Sequence, residues 1–156
     1  MSKQRIIGIT LAGLSIAGLL ILFDYAYGSE TGLSATTVSH HFNAPQGKNA
    51  PQFNDLNPGI GLYWMGKDFG VDALTYRNSY GRNSFALTGS YEPIQFKYLQ
   101  AGVFAGVASG YEHPYIGGAY AQVKYEKAAL RFIVVPKVGE TRNAATSVTA
   151  QVRVAF

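Results

Sequence analysis

The chain has 156 residues, 13 basic against 9 acidic side chains, no cysteine and a nearly neutral average hydropathy. That length holds one domain, and the missing cysteines exclude thiol catalysis, disulfides and cysteine-ligated metal. The positive excess is small and dispersed, unlike a nucleic-acid footprint, and His40, His41 and His113 are too scattered to argue for a zinc site. Neither a metal nor a soluble cofactor is expected.

The chain opens with Lys3 and Arg5, then an apolar run from Ile6 to Phe23, then Ala26-Tyr27-Gly28 in a small-x-small pattern. This order predicts a secretory signal peptide over residues 1–28, leaving 29–156 as the exported domain. The run is also close to the length that spans a bilayer, so a retained anchor is the alternative. Without residues 1–28 the chain loses Lys3, Arg5 and Asp24, leaving 11 basic and 8 acidic residues. A small positive excess suits an anionic membrane surface.

No later segment is apolar for long enough to cross a membrane as a helix, but the pattern of strands is dense. Strands are predicted over 34–42, 58–65, 71–78, 84–91, 97–108, 115–125, 128–135 and 147–156. Long connections alternate with short ones. Residues 43–57 form a polar loop, and Gly66-Lys67-Asp68-Phe69-Gly70 a tight turn. A loop through Gly81 follows, then a turn at Glu92-Pro93, a loop over 109–114, a hairpin at Glu126-Lys127 and a loop over 136–146.

In the fifth strand Leu99, Ala101, Val103, Ala105 and Val107 oppose Gln100, Gly102, Phe104 and Gly106. In the seventh, Leu130, Phe132 and Val134 oppose Arg131, Ile133 and Val135. The last ten residues alternate strictly, with Val148, Ala150, Val152, Val154 and Phe156 on one row and Ser147, Thr149, Gln151 and Arg153 on the other. An apolar row toward lipid, a polar row toward a lumen and a terminal aromatic predict an all-β fold, an eight-stranded antiparallel transmembrane β-barrel of the bacterial outer membrane. The soluble alternative is a secreted lipocalin-like barrel, which would turn its apolar rows inward. Arg131, Arg153, Tyr98, Phe104 and Tyr125 are expected in the lumen.

With both chain ends in the periplasm, the tops of the odd strands meet at the cell surface. That rim collects His40 and His41, then Tyr76-Arg77-Asn78-Ser79, then Tyr111 and His113. An imidazole beside a hydroxyl is the minimum for activating an oxygen nucleophile. Asn78 and Ser79 are equally suited to capping a surface turn. Arg77, Arg82, Lys137, Lys48 and Arg142 give the rim cations that suit lipid phosphates, or an ordinary solvated loop surface.

Four segments carry a family resemblance: Asn54 to Leu62, Tyr76-Arg77-Asn78-Ser79-Tyr80, Leu99 to Val107 and Phe132-Ile133-Val134-Val135-Pro136. In order and spacing, from about residue 37 to the end, they resemble the lipid A palmitoyltransferase (PagP) family of outer-membrane acyltransferases. The resemblance implies a surface-side His, Asp and Ser that move a palmitoyl chain from phospholipid to lipid A. His41 aligns with the family histidine, with His40 the fallback, and Ser79 aligns with the serine. Asn78 stands where the family has aspartate, which removes a charge from the expected site. Pro114 and Pro136 match the family's proline-flanked gap between strands six and seven; Pro58 matches one side of a second gap.

Two functions follow. One is a monomeric acyltransferase with His41 as general base, Ser79 as nucleophile or polar partner, and Asn78 as orienting group, using phospholipid and lipid A or lipopolysaccharide. The other is a non-catalytic barrel whose loops alter adhesion, serum resistance or phage adsorption, which the Asn78 substitution favours. A pore is disfavoured because eight strands enclose little space.

Overall fold

The structure, a computed structural model, describes residues 29–44, 52–137 and 145–156. The signal-peptide assignment for 1–28 and the rim cations Lys48 and Arg142 lie outside the described residues. Eight strands follow in chain order: β1 Glu30–Phe42, β2 Leu56–Met65, β3 Phe69–Arg77, β4 Asn83–Gln95, β5 Leu99–Ala108, β6 Tyr115–Tyr125, β7 Ala128–Val135 and β8 Thr146–Ala155. Each pairs antiparallel with its neighbour, and β1 pairs with β8, so the sheet closes into a barrel. Closure removes every free strand edge, which a chain crossing hydrocarbon must do.

The two faces of the wall are opposite in character. Leu33, Ile60, Val71, Leu87, Val103, Val123, Phe132 and Val152 are exposed on the outside. Asp72, Glu92, Gln122, Arg131, Gln151 and Arg153 are buried inside. Water would reverse this arrangement; a bilayer requires it. The chain is an outer-membrane barrel, and the lipocalin-like alternative fails on the sidedness of its rows.

One end of the barrel carries the tight turns after β2, β4 and β6 together with residues 29 and 156; the other carries the longer connections. In outer-membrane barrels short turns face the periplasm and longer loops the outside. Aromatic side chains ring the short-turn end. Phe69 stacks on Tyr91 at 4.9 Å and Tyr98 on Tyr125 at 6.3 Å. Tyr98 and Tyr125 therefore belong to the interfacial girdle and not to the lumen, because Tyr125 shares the lipid-facing side with Val123 and Tyr98 lies in the turn before β5.

β4 differs from expectation. It does not turn at Glu92-Pro93 but runs on to Gln95, and the turn comes at 96–98. The β4–β5 register shifts between Tyr91 and Ile94. Pro93 sits in that irregularity on the exposed side, where its missing N–H costs no ladder bond. Glu92 is thereby kept in the lumen, 2% exposed.

The short-turn half of the lumen holds an ion network. Arg153 bonds the Asp72 carboxylate, Arg131 Nη1 lies 3.6 Å from Asp72 Oδ2, and Arg131 Nη2 lies 4.0 Å from Glu92 Oε2. Gln122 links Glu92 and Gln100 and accepts from Arg131 Nε at 2.9 Å. The Arg131 guanidinium lies 3.8 Å from the Tyr120 ring centroid, and that of Arg153 lies 4.4 Å from the Tyr63 ring centroid. Neutralised charge and stacked guanidinium let these polar groups be buried inside the wall.

Candidate active site

An irregularity in β1 decides what its last turnward residues face. Thr36 and Ser39 are both buried, while Thr37 and Val38 between them are both exposed. The pairing with β8 shifts register between Thr36 and Ser39. This is a β-bulge, and it switches the inward row from even to odd positions. His41 therefore turns toward the lumen mouth, and its side chain is 7% exposed. His40 turns out, with its ring edge-on to Phe42 at 4.6 Å and its Nδ1 3.8 Å from Asp55 Oδ2.

His41 bridges two residues from different loops. Its Nδ1 lies 2.9 Å from Asp55 Oδ1, and its Nε2 lies 2.8 Å from Ser79 Oγ. A carboxylate only accepts, so Nδ1 carries the proton and Nε2 is left to accept from the Ser79 hydroxyl. A serine, a histidine and an aspartate are thus linked in the order that activates a serine hydroxyl.

The backbone holds the three together. Ser39 N–H donates to Asp55 O at 2.8 Å, pinning the end of the long loop to β1. Asn54 N–H donates to Ser79 O at 2.6 Å, so the residue before the aspartate is tied directly to the serine. Asn57 Nδ2 donates to Arg77 O at 3.0 Å, and Asn57 also bonds Ser39. Phe53 stacks on the His41 ring at 4.7 Å and 12°, Tyr80 tilts against Phe53 at 5.7 Å, and Tyr111 meets Tyr80 edge-on at 5.8 Å. These rings wall one side of the group. Burial, with Tyr111 and Glu112 adding, holds the Tyr80 phenol above its ordinary pKa, so the wall is neutral.

Asn78 does not take the orienting position expected of it. Its side chain is fully buried, and every valence of its amide is used within the loops. Nδ2 donates to Ser84 Oγ at 2.9 Å and to Gly110 O at 3.2 Å; Oδ1 accepts from Tyr80 N–H at 3.0 Å and Arg82 N–H at 2.9 Å. Asn78 fixes the turn that carries Ser79, whose Gly81 adopts φ +72° and donates to Asn78 O. The residue beside the imidazole is Asp55. The residue-by-residue reading missed it, although it is the sole acid of the stretch 43–57 and stands where that stretch rejoins β1. His113 is exposed in the β5–β6 loop and makes no contact with the group.

The prolines are placed at irregular points of the wall. Pro58 is exposed on β2 where the β1–β2 register shifts. The β6–β7 ladder stops at Ala119–Val134, just short of Pro136, while β6 continues against β5 as far as Tyr115. Of the rim cations, Arg77 donates from Nε to Gly81 O at 3.2 Å, and Arg82 is exposed.

No protein-family model matches the chain, and no curated protein does. Among solved structures it is similar to the Yersinia pestis outer membrane protein Ail in a phospholipid bilayer nanodisc. The two are 9% identical, with a TM-score of 0.46, over 82% of this chain and 99% of that one.

Proposed function

We propose that the chain is an acyltransferase of the outer leaflet, taking an acyl chain from phospholipid and passing it to lipid A or a related surface lipid. The observation that carries this reading is the hydrogen-bonded bridge of His41 between Asp55 and Ser79. Its place at the long-loop end puts it where outer-leaflet esters lie. The resemblance of four segments to the lipid A palmitoyltransferase family supplies donor and acceptor.

The chemistry follows from the tautomer. His41 Nε2 takes the Ser79 proton as Oγ attacks the ester carbonyl of the donor. The imidazolium then returns that proton to the departing lyso-lipid oxygen, leaving an ester on Ser79. An acceptor hydroxyl repeats the exchange in reverse: its proton goes to His41, its oxygen takes the acyl group, and Ser79 is regenerated. Asp55 fixes the imidazole and offsets its transient charge. Mass spectrometry of lipid A from cells expressing the wild type, Ser79→Ala and His41→Ala tests this. Extra acylation is expected only with the wild type, and identical profiles would sink it.

A second reading has its own support. Buried charges of an ion network occupy the short-turn half of the lumen, as a purely structural barrel with functional surface loops would have it. Under that reading, adhesion or serum-resistance assays would respond to loop exchange and ignore Ser79→Ala.

A further inference from the structure

We infer that Asn57 is a positioning residue of the site: it fixes which histidine of β1 faces inward and ties that strand to the turn that carries Ser79. This rests on the acyl-transfer reading above and names what keeps its histidine and serine together.

The ladders on both sides of β1 are interrupted at one level. Against β8, Thr37 and Val38 stand opposite Ala150 alone, because Thr36 pairs with Gln151 and Ser39 with Thr149. Against β2, Asn57 and Pro58 stand opposite Thr37 alone, because Thr36 pairs with Gly59 and Val38 with Leu56. Pro58 has no N–H to give to a ladder. Interrupted ladders specify register weakly, and a slip of one residue exchanges the two faces of a strand. Such a slip beyond Thr36 would carry His41 out and His40 in. Side chains have to hold the register here.

Asn57 holds it through both its backbone and its side chain. Its carbonyl accepts from Thr36 Oγ1 at 2.9 Å, and its Oδ1 accepts from Ser39 Oγ. Thr36 is the last inward residue before the irregularity and Ser39 the first after it, so Asn57 grips both flanks of the bulge. From the same amide, Nδ2 donates to Arg77 O at 3.0 Å, two residues before Ser79. The amide suits both ends: Arg77 O only accepts and must meet a donor, while the Ser39 hydroxyl meets a carbonyl oxygen. Asn57 is 4% exposed, so water does not replace a bond it loses. Its bonds run to Thr36, Ser39 and Arg77 and not to His41 or Ser79, so it acts on the chemistry through placement alone.

The test uses the purified full-length protein in mixed micelles of phospholipid and lipid A. Asn57→Asp keeps the size and still accepts from Ser39, but sets an acceptor against Arg77 O. It should lower kcat about 10²-fold, the effect of displacing a reacting group by about 1 Å, with KM unchanged because neither lipid is touched. Thr36→Val, which lacks the hydroxyl, should also lower kcat, and Thr36→Ser, which keeps it, should lower it less. Heat-dependent gel mobility reports the folded barrel in each variant. A residue that only stabilises would lower the urea midpoint and leave kcat of the folded protein at the wild-type value; that result overturns the inference while leaving the transferase intact. A second readout needs no turnover: ring-nitrogen NMR of isotope-labelled protein, with His41 assigned from His41→Ala. His41 Nε2 should be hydrogen-bonded in the wild type and released in Asn57→Asp. If the wild type transfers no acyl chain, the transferase reading fails and these signals decide the inference by themselves. An unchanged Nε2 signal in Asn57→Asp then overturns it, and a shifted one upholds it.

Discussion

His41 Nε2 accepts from Ser79 Oγ at 2.8 Å because β1 carries a bulge at Thr37 and Val38, just before Ser39 and the histidine pair. Were β1 regular from Thr36 onward, His40 would face the serine and His41 the lipid. Replacing His41 with Ala should abolish transfer to the background rate. His40→Ala should leave the rate within about threefold, the effect of a surface change away from the chemistry. Deleting Thr37 removes the extra residue and leaves Ser39 and His41 in their inward register with β8, so activity should keep its dependence on His41, read from the same pair of alanine variants in the deleted background.

Asp55 is more than half exposed, so its charge is screened, yet it is the group that sets the imidazole tautomer. Asp55→Asn should lower kcat on the order of 10²- to 10⁴-fold, as loss of the orienting carboxylate does in serine hydrolases. Asp55→Glu should restore part of it. Folding, read as heat-dependent gel mobility, should be unchanged in both. A wild-type rate for Asp55→Asn would remove aspartate from the mechanism.

Asn78→Asp, which would restore the residue of the resembling family, should harm the protein. A carboxylate cannot donate to Gly110 O, so that acceptor loses its partner, while the Ser84 hydroxyl can turn to donate to the new carboxylate. The lost bond costs about 1–3 kcal/mol, and the charge placed on a fully buried side chain adds to it. Urea unfolding in lipid vesicles should show a lowered midpoint, and activity should fall with the order of the Ser79 turn. Gain of activity in this variant would return the acid of the site to position 78.

The wall of the barrel was legible because period-two alternation is a local property. β6 and β7 run as their alternation predicts, and Arg131 and Arg153 face the lumen by parity alone. Irregular backbone was not legible. A one-residue bulge leaves no mark in composition, so the choice between His40 and His41 needed the register of β1 against β8. Pro93 looked like a turn because proline usually ends a strand, but an edge-like irregularity accommodates it. Asp55 joins His41 only through a hairpin register across a long loop, a non-local relation. Asn78 aligns with a catalytic position by sequence and with a turn hub by geometry.

The raised pKa of Tyr80 gives a pH prediction. A phenol held above its ordinary value of 10.0 stays protonated throughout the neutral and mildly alkaline range. It can add no ionisation step there, so Tyr80→Phe should leave the shape of the pH–rate profile below pH 10 unchanged. Any limb that disappears with the substitution would give Tyr80 a direct part in proton transfer.

The lumen network should dominate stability. Asp72 sits between Arg153, which bonds it, and Arg131 at 3.6 Å, and it is 8% exposed. Removing it leaves two guanidiniums facing each other with only Glu92 nearby, and breaking a buried pair in this way costs about 3–5 kcal/mol. Asp72→Ala should therefore lower the urea midpoint strongly. Adding Arg153→Met removes one stranded charge, fills the space beside Tyr63 and should recover much of that loss. The two substitutions would then be far from additive, as residues of one network are. Additive losses would mean that water already screens the lumen charges, and that the barrel is wetter inside than its packing implies.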